Sequence, residues 1–205
     1  MRRFIITALL AVGIGVGQVA LAQQGGYQDI NPPVETRNAD QVEVLEFFWF
    51  GCPHCFAFEP AINEWAANRP DDVDFVRHAP PLNKGWTPHS EAFYAVEVLG
   101  ETEKFFEPMF NAIHREKRNL RDRKRIAAFA GELGIDEQKM LDTMKSFAVN
   151  TRIRQSMKNA MDARVSGVPS VVVNGKYLTS VSMAGGHQQI IQLIDELVER
   201  ERKAA

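Results

Sequence analysis

Cysteine is nearly absent: 205 residues contain only Cys52 and Cys55. Two thiols cannot staple a scaffold by disulfides, and they cannot supply a metal site built mostly from thiolates. No charge sign dominates either. Lys and Arg number 24 against 26 Asp and Glu, so the formal net charge is −2 and nothing points electrostatically to a nucleic-acid partner. Glycine (14) and proline (10) stay near ordinary usage and no internal repeat is visible, which excludes collagen-like and low-complexity chains. What is present is a 45% hydrophobic chain of a length that suits one domain, or one domain with an insertion.

The only long apolar run is at the start. Arg2 and Arg3 are followed by an apolar stretch from Phe4 to Val16 and by the small-x-small site Ala20-Leu21-Ala22. Residues 1–22 therefore read as a secretory signal peptide cleaved after Ala22. An uncleaved anchor is the alternative, weakened by Gly13, Gly15, Gly17 and Gln18. The mature chain would run from Gln23 to Ala205, 183 residues at net −4. Export would place both cysteines where disulfides persist.

The mature chain starts loosely, with one short edge strand expected near Tyr27. Val42 to Phe50 (VEVLEFFWF) is apolar on both faces and reads as a central buried strand. Cys52-Pro53 then opens a helix, with proline at the first turn where its missing N–H costs nothing. That helix ends near Asn68, and Asp72 to His78 alternates as a second strand. Helical signals follow to about Arg164. Thr87-Pro88 reads as a cap, Asp122 to Leu133 as a helix ending at Gly134, Asp136 as the cap of the next, and Ile135 with Met140 as a hydrophobic staple. Ile153, Met157 and Met161 mark the last of these helices, and the Met and Phe stripes read as core. Ser170 to Val173 is a strand, Asn174-Gly175 signals a hairpin, and Tyr177-Leu178 starts the return. A final helix carries Ile190, Ile191, Ile194, Leu197 and Val198. The order is β-α-β, helices, then β-β-α: an α/β chain with 23–81 and 165–205 in one domain and a helical insertion over 82–164.

Cys52-Pro53-His54-Cys55 carries the chemistry. Haem attachment needs His directly after the second Cys, where this sequence has Phe56. Zinc needs about four ligands, and no other cysteine exists. A purely structural staple is a poor use of so short a loop, worth roughly 2 kcal/mol in the chain-entropy treatment. Redox chemistry remains. The pair opens a helix directly after a buried strand, so Cys52 faces free N–H groups and the positive end of the helix dipole, both of which favour thiolate. A pKa two to three units below pH 7 would favour the dithiol by roughly 3–4 kcal/mol, or about 60–90 mV in potential. Glu46, six residues earlier, shares a strand face with Val44, Phe48 and Phe50. A buried carboxyl with a raised pKa is the expectation there, with Arg77 on the next strand as its candidate charge partner.

FFWFGCPHC following Glu46, together with GVPSVVVNGKY near the C-terminus, resembles the DsbA family of thiol:disulfide oxidoreductases. The resemblance covers essentially the whole mature chain. It implies a thioredoxin-like fold with an inserted all-helical domain and a redox-active Cys52–Cys55 disulfide with Cys52 as nucleophile. It also implies tuning by Pro53 and His54, and a buried Glu46 that exchanges a proton with Cys55. Sequence alone would leave Pro169 trans. The resemblance reverses this: a cis Pro169 would face the cysteines, with Val168 offering backbone to an extended substrate. Trp49 and Gly51 depart from the family pattern, which bears on the shape of the active-site surface and not on the chemistry.

The resemblance further implies a periplasmic monomer without cofactor or metal. Its partners would be reduced, unfolded or folding exported proteins and a DsbB-like, quinone-linked membrane oxidase that restores the disulfide. The rivals are a reductase or isomerase of the same fold, and a peptide-binding chaperone whose disulfide is inert. His78, His89, His114 and His187 belong to no constellation in the sequence.

Overall fold

The computed structural model describes residues 25–204, so the expected leader lies outside the described residues. The elements in order are β1 (Tyr27–Asp29), β2 (Val42–Phe47), α1 (Pro53–Asn68), β3 (Val73–His78), a 3₁₀ turn (Lys84–Trp86), α2 (Thr87–Leu99), α3 (Thr102–His114), α4 (Arg123–Glu132), α5 (Glu137–Met144), α6 (Phe147–Asp162), β4 (Ser170–Val173), β5 (Tyr177–Ser180), α7 (Val181–Ala184) and α8 (His187–Ala204). The strands form one sheet in the order β1-β5-β4-β2-β3. Only β2 and β3 run parallel, joined through α1; every other pair is antiparallel.

Every residue of β2 is buried, as a strand covered on both faces must be. Val42 and Val44 join Val171 and Val173 under α1 and α8, against Phe58, Ile62, Ile190, Ile194 and Leu197. Leu45 and Phe47 point the other way with Val172 and Leu178, against Ile30, Ala160, Ala163 and Val165. A third core is made by α2 to α5 with Phe48, Phe50, Cys52 and Cys55.

The strand stops at Phe47, three residues before the expected Phe50. Its neighbours run out of donors. Phe48 N–H still donates to the His78 carbonyl at 2.9 Å, but Ala79-Pro80-Pro81 follows on one side and Pro169 precedes β4 on the other. Phe48 and Phe50 then swing into the helical core, fully buried, each contributing ~1.5–3 kcal/mol. The third core is thus anchored to the strand that leads into the cysteines.

Two further expectations are corrected. Thr87 is the first residue of α2 and not its cap, because the 3₁₀ turn capped by Asn83 already leads the chain into the helix. Met161 is 69% exposed and not core: α6 buries Val149, Ser156 and Ala160, and that stripe leaves Met161 on its outer edge. The Asp136 cap forms as read and Asp122 caps α4 in the same way, each accepting from a backbone N–H three residues on. At the hairpin, Asn174 and Gly175 both take positive φ, 49° and 64°. A Cβ at Gly175 would sit 2.0 Å from the Val34 carbonyl oxygen, so only glycine closes this turn. Among the described residues two peptide bonds are cis, Asn31–Pro32 and Val168–Pro169.

Candidate active site

The site is assembled where β2 hands over to α1. Cys52 caps the helix: its backbone is extended, Pro53 takes the first helical position, and its sulfur accepts from the Cys55 N–H at 3.3 Å. The Cys52 N–H donates to the Trp49 carbonyl at 2.9 Å, which turns the chain tightly through Gly51. Both cysteines are free thiols. Cys55 is wholly enclosed and Cys52 is 7% exposed, so Cys52 is the more accessible of the two but sits less open than a lip residue. Pro53 and His54 are exposed beside it.

The two thiols titrate in opposite directions. Cys52 is lowered to about 6, first by a hydrogen bond from the Cys55 thiol, against the cost of burial, and then by the N–H groups of Cys55 and His54. The charge of the His54 side chain is the least of these causes. Burial pushes Cys55 far up, and a neighbouring Cys52 thiolate pushes it further. A value near 6 is one unit below pH 7. It favours the dithiol by about 1.4 kcal/mol before solvent screening, hence by no more than ~30 mV. That is below the 60–90 mV that a lower pKa would have supplied.

Across the cleft, the loop before β4 meets Cys52. Its sulfur lies 3.6 Å from the Val168 carbonyl oxygen, to which a thiol donates and a thiolate cannot. The cis Val168–Pro169 bond sits at this point, with Pro169 buried and Ser170 Oγ donating to the Gly167 carbonyl at 2.8 Å. Cys52, Cys55, Val168 and Pro169 are therefore brought together.

Glu46 is fully buried one layer below. The proposed partner is present: Arg77 Nε donates to Glu46 Oε2 at 2.8 Å. Arg77 also donates through Nη2 to Glu59 Oε1 at 3.2 Å and to Asn63 Oδ1 at 2.5 Å. One guanidinium thus serves two carboxyls, while Glu46 Oε1 and Glu59 Oε2 have no partner among the described residues. Burial raises Glu46, against the pull of Arg77. It also raises Glu59, with help from the Glu46 charge, to about 8. Glu46 makes no hydrogen bond to Cys55 and reaches it only as a nearby charge.

The model of the DSBA-like thioredoxin domain matches residues 43–198, most of the chain. The chain belongs to this DsbA family. The thiol:disulfide interchange protein DsbA of Pseudomonas aeruginosa is 40% identical, over the whole of this chain and 99% of its own length. That of Burkholderia cepacia is 37% identical over 98% and 97%. The crystal structure of P. aeruginosa DsbA superposes with a TM-score of 0.84 at 38% identity, covering 88% of this chain and 94% of that one. The oxidoreductase DsbA from Xylella fastidiosa gives 0.81 at 29% identity, covering 88% and 96%. The protein is a disulfide oxidoreductase with a thioredoxin-like fold and inserted helices.

Three residues near the DsbA-type cysteines escaped the sequence reading. Glu59 was legible in principle: it falls on the inward stripe of α1 with Cys55, Phe58 and Ile62, a charge where spacing demands apolarity. His114 donates from Nε2 to the Phe50 carbonyl at 2.7 Å and stacks on Phe56 at 4.8 Å. His89, from α2, stacks on Trp49. Neither histidine carries a local signal, because each meets the site across more than thirty residues of chain.

Proposed function

We propose that this DsbA-family protein donates the Cys52–Cys55 disulfide to newly exported polypeptides in the periplasm. A client thiolate attacks Cys52 sulfur in the oxidised protein. The S–S bond breaks, Cys55 leaves with the electron pair, and a client–Cys52 mixed disulfide forms. A second client thiolate then attacks the client sulfur of that bond and expels Cys52 as thiolate. The client gains a disulfide, and the protein gains two electrons and the protons its thiols hold.

The asymmetry of the two sulfurs carries this reading. Cys52 is reachable and stable as a thiolate, so it is the good electrophile and the good leaving group. Cys55 is enclosed and strongly disfavoured as a thiolate, so its departure requires a proton. The acid pair of Glu46 and Glu59 lies behind it, and burial raises both carboxyls, Glu59 to about 8. In this scheme Glu46 is the donor and Arg77 holds it in place. Pro53 fixes the first helical turn, His54 adds its N–H to the thiolate field, and Val168 with cis Pro169 offers an extended client its backbone.

The same reading makes residues 1–22 a cleaved export signal and 82–164 a helical insertion between two parts, 23–81 and 165–205, of one domain. It assigns re-oxidation of a monomer to a DsbB-like, quinone-linked membrane oxidase. Among the described residues, no helix is long and apolar enough to cross a membrane. Equilibration of the pair with glutathione, followed by oxidation of a reduced two-cysteine peptide, tests the proposal. A couple that glutathione fully oxidises, and that leaves the peptide reduced, marks a reductase instead. A pair that exchanges with neither marks an inert chaperone disulfide.

A further inference from the structure

Beside Cys52, on the side of the helical core, lies an open groove of about 720 Å³ whose wall includes Trp49, Gly51, Trp86 and His89. Trp49 and Trp86 stack face to face, with centroids 4.5 Å apart and planes at 6°. Trp49 is also tied to the active-site turn through its backbone, since the Cys52 N–H donates to the Trp49 carbonyl. A Cβ on Gly51 would lie 2.3 Å from the Trp49 ring. Gly51 thus lets the indole lie flat against the start of the active-site turn.

Two buried polar atoms in this wall have no partner among the described residues, Trp49 Nε1 and His89 Nδ1. His89 is 4% exposed, and its Nε2 lies 2.6 Å from the Leu120 carbonyl, an acceptor, so the ring proton sits on Nε2. The free Nδ1 is therefore an acceptor, and the indole Nε1–H is a donor. The two rings stack with centroids 5.7 Å apart, so the wall carries one donor and one acceptor on neighbouring rings. One residue of an extended chain offers the matching pair on a single edge, its carbonyl for the indole and its N–H for the imidazole. The wall also carries Lys117, Arg118 and Arg121 and no carboxylate. Arg118 is engaged by Glu132, whereas Lys117 and Arg121 form no ion pair among the described residues.

We infer that this groove is a second client subsite, which takes an extended polypeptide segment carrying acidic side chains, with its backbone on Trp49 and His89 and its carboxylates on Lys117 and Arg121. It is separate from the Val168–Pro169 edge, neither residue of which lines it, and it reaches the active-site turn at Gly51. The inference rests on the proposed oxidation of polypeptide clients, yet its test needs no redox step.

The probe is a cysteine-free, end-blocked octapeptide of alanine and glutamine with two aspartates, and a twin with two lysines. The readout is the indole N–H resonance of Trp49 in the full chain. Trp65, whose Nε1 is already bonded to Asp195 at 2.7 Å, serves as the internal control. The aspartate peptide should shift Trp49 saturably and leave Trp65 in place, binding at least tenfold more tightly than its lysine twin. The double variant K117E/R121E, altered only at exposed positions, should lose at least tenfold in affinity for the aspartate peptide with Trp65 unmoved. A Trp49 resonance that stays still, or moves equally with both peptides, overturns the inference. So does movement with anionic phospholipid vesicles, or with protein concentration, in place of the peptide. Binding without oxidation of dithiothreitol would leave the subsite standing and remove the oxidase reading. Oxidation without a Trp49 response removes the subsite alone.

Discussion

At the scale of single residues, two thiols three positions apart behave as different functional groups. The helix start supplies Cys52 with N–H donors, while α1 carries Cys55 one turn inward, where no charge is solvated. Replacing Cys55 with alanine should therefore trap client proteins on Cys52 as mixed disulfides, visible on non-reducing gels. Trapping confined to Cys52→Ala would reverse the assignment. His54→Leu removes an exposed group that favours the thiolate through its charge, so the Cys52 pKa should rise and the protein should become a weaker oxidant. At pH 7 the first unit of that rise moves the couple by about 20 mV toward the reductants, and the whole loss of the thiolate by no more than ~30 mV. A thiolate absorbance titration with an unchanged midpoint would remove the His54 side chain from the mechanism.

At the scale of elements, β2, α1 and β3 each bring one charged group to a shared buried point: Glu46, Glu59 and Arg77. Two carboxyls on one guanidinium cannot both ionise without cost. A carboxyl whose folded pKa is raised contributes stability below its unfolded value, and loses it as pH rises through the folded one. For Glu59 that window runs from about 4.5 to about 8. Glu59→Gln keeps an acceptor for Arg77 and removes the titration, so the variant should be more stable than the parent at pH 8 by ~1–3 kcal/mol and similar to it at pH 5. Urea unfolding at the two pH values decides this, and equal stability at both would show the pair to be fully screened. The cluster also marks what sequence can and cannot disclose. The buried strand, the paired cysteines at a helix start, the aspartate caps and the Asn174-Gly175 turn are local patterns, and the structure has them. Glu46 was legible because alternation put it on an apolar face. The early end of β2 was not, since it depends on prolines in two other segments. Nor was the Trp49–Trp86–His89 wall, whose members are joined only by folding.

At the scale of the whole molecule, the active site sets which redox form folds more stably. The oxidised protein has no titrating thiol, so it serves as a control for every other ionisable group. In the reduced protein, Cys52 is lowered to about 6 against ~8.5 for a free thiol. A depressed folded pKa contributes stability above the unfolded value and loses it as pH falls through the folded one. Between pH 6 and 8.5 the unfolded chain binds more protons, so reduced-state stability rises with pH there. The gain is about 1.4 kcal/mol at pH 7 and approaches 2.5 kcal/mol at pH 8, upper figures because solvent reaches the sulfur. Against it stands the disulfide, whose four-residue loop contributes roughly 2 kcal/mol to the oxidised form in the chain-entropy treatment. The two terms are comparable near neutrality. The oxidised form should be the more stable at pH 5, the two should lie within about 1 kcal/mol at pH 7, and the reduced form should gain on the oxidised one throughout that range. Paired urea unfolding curves at pH 5, 7 and 8 measure the difference directly. A difference that stays flat across them would mean that folding does not depress Cys52, and the leaving-group argument for disulfide donation would fall with it.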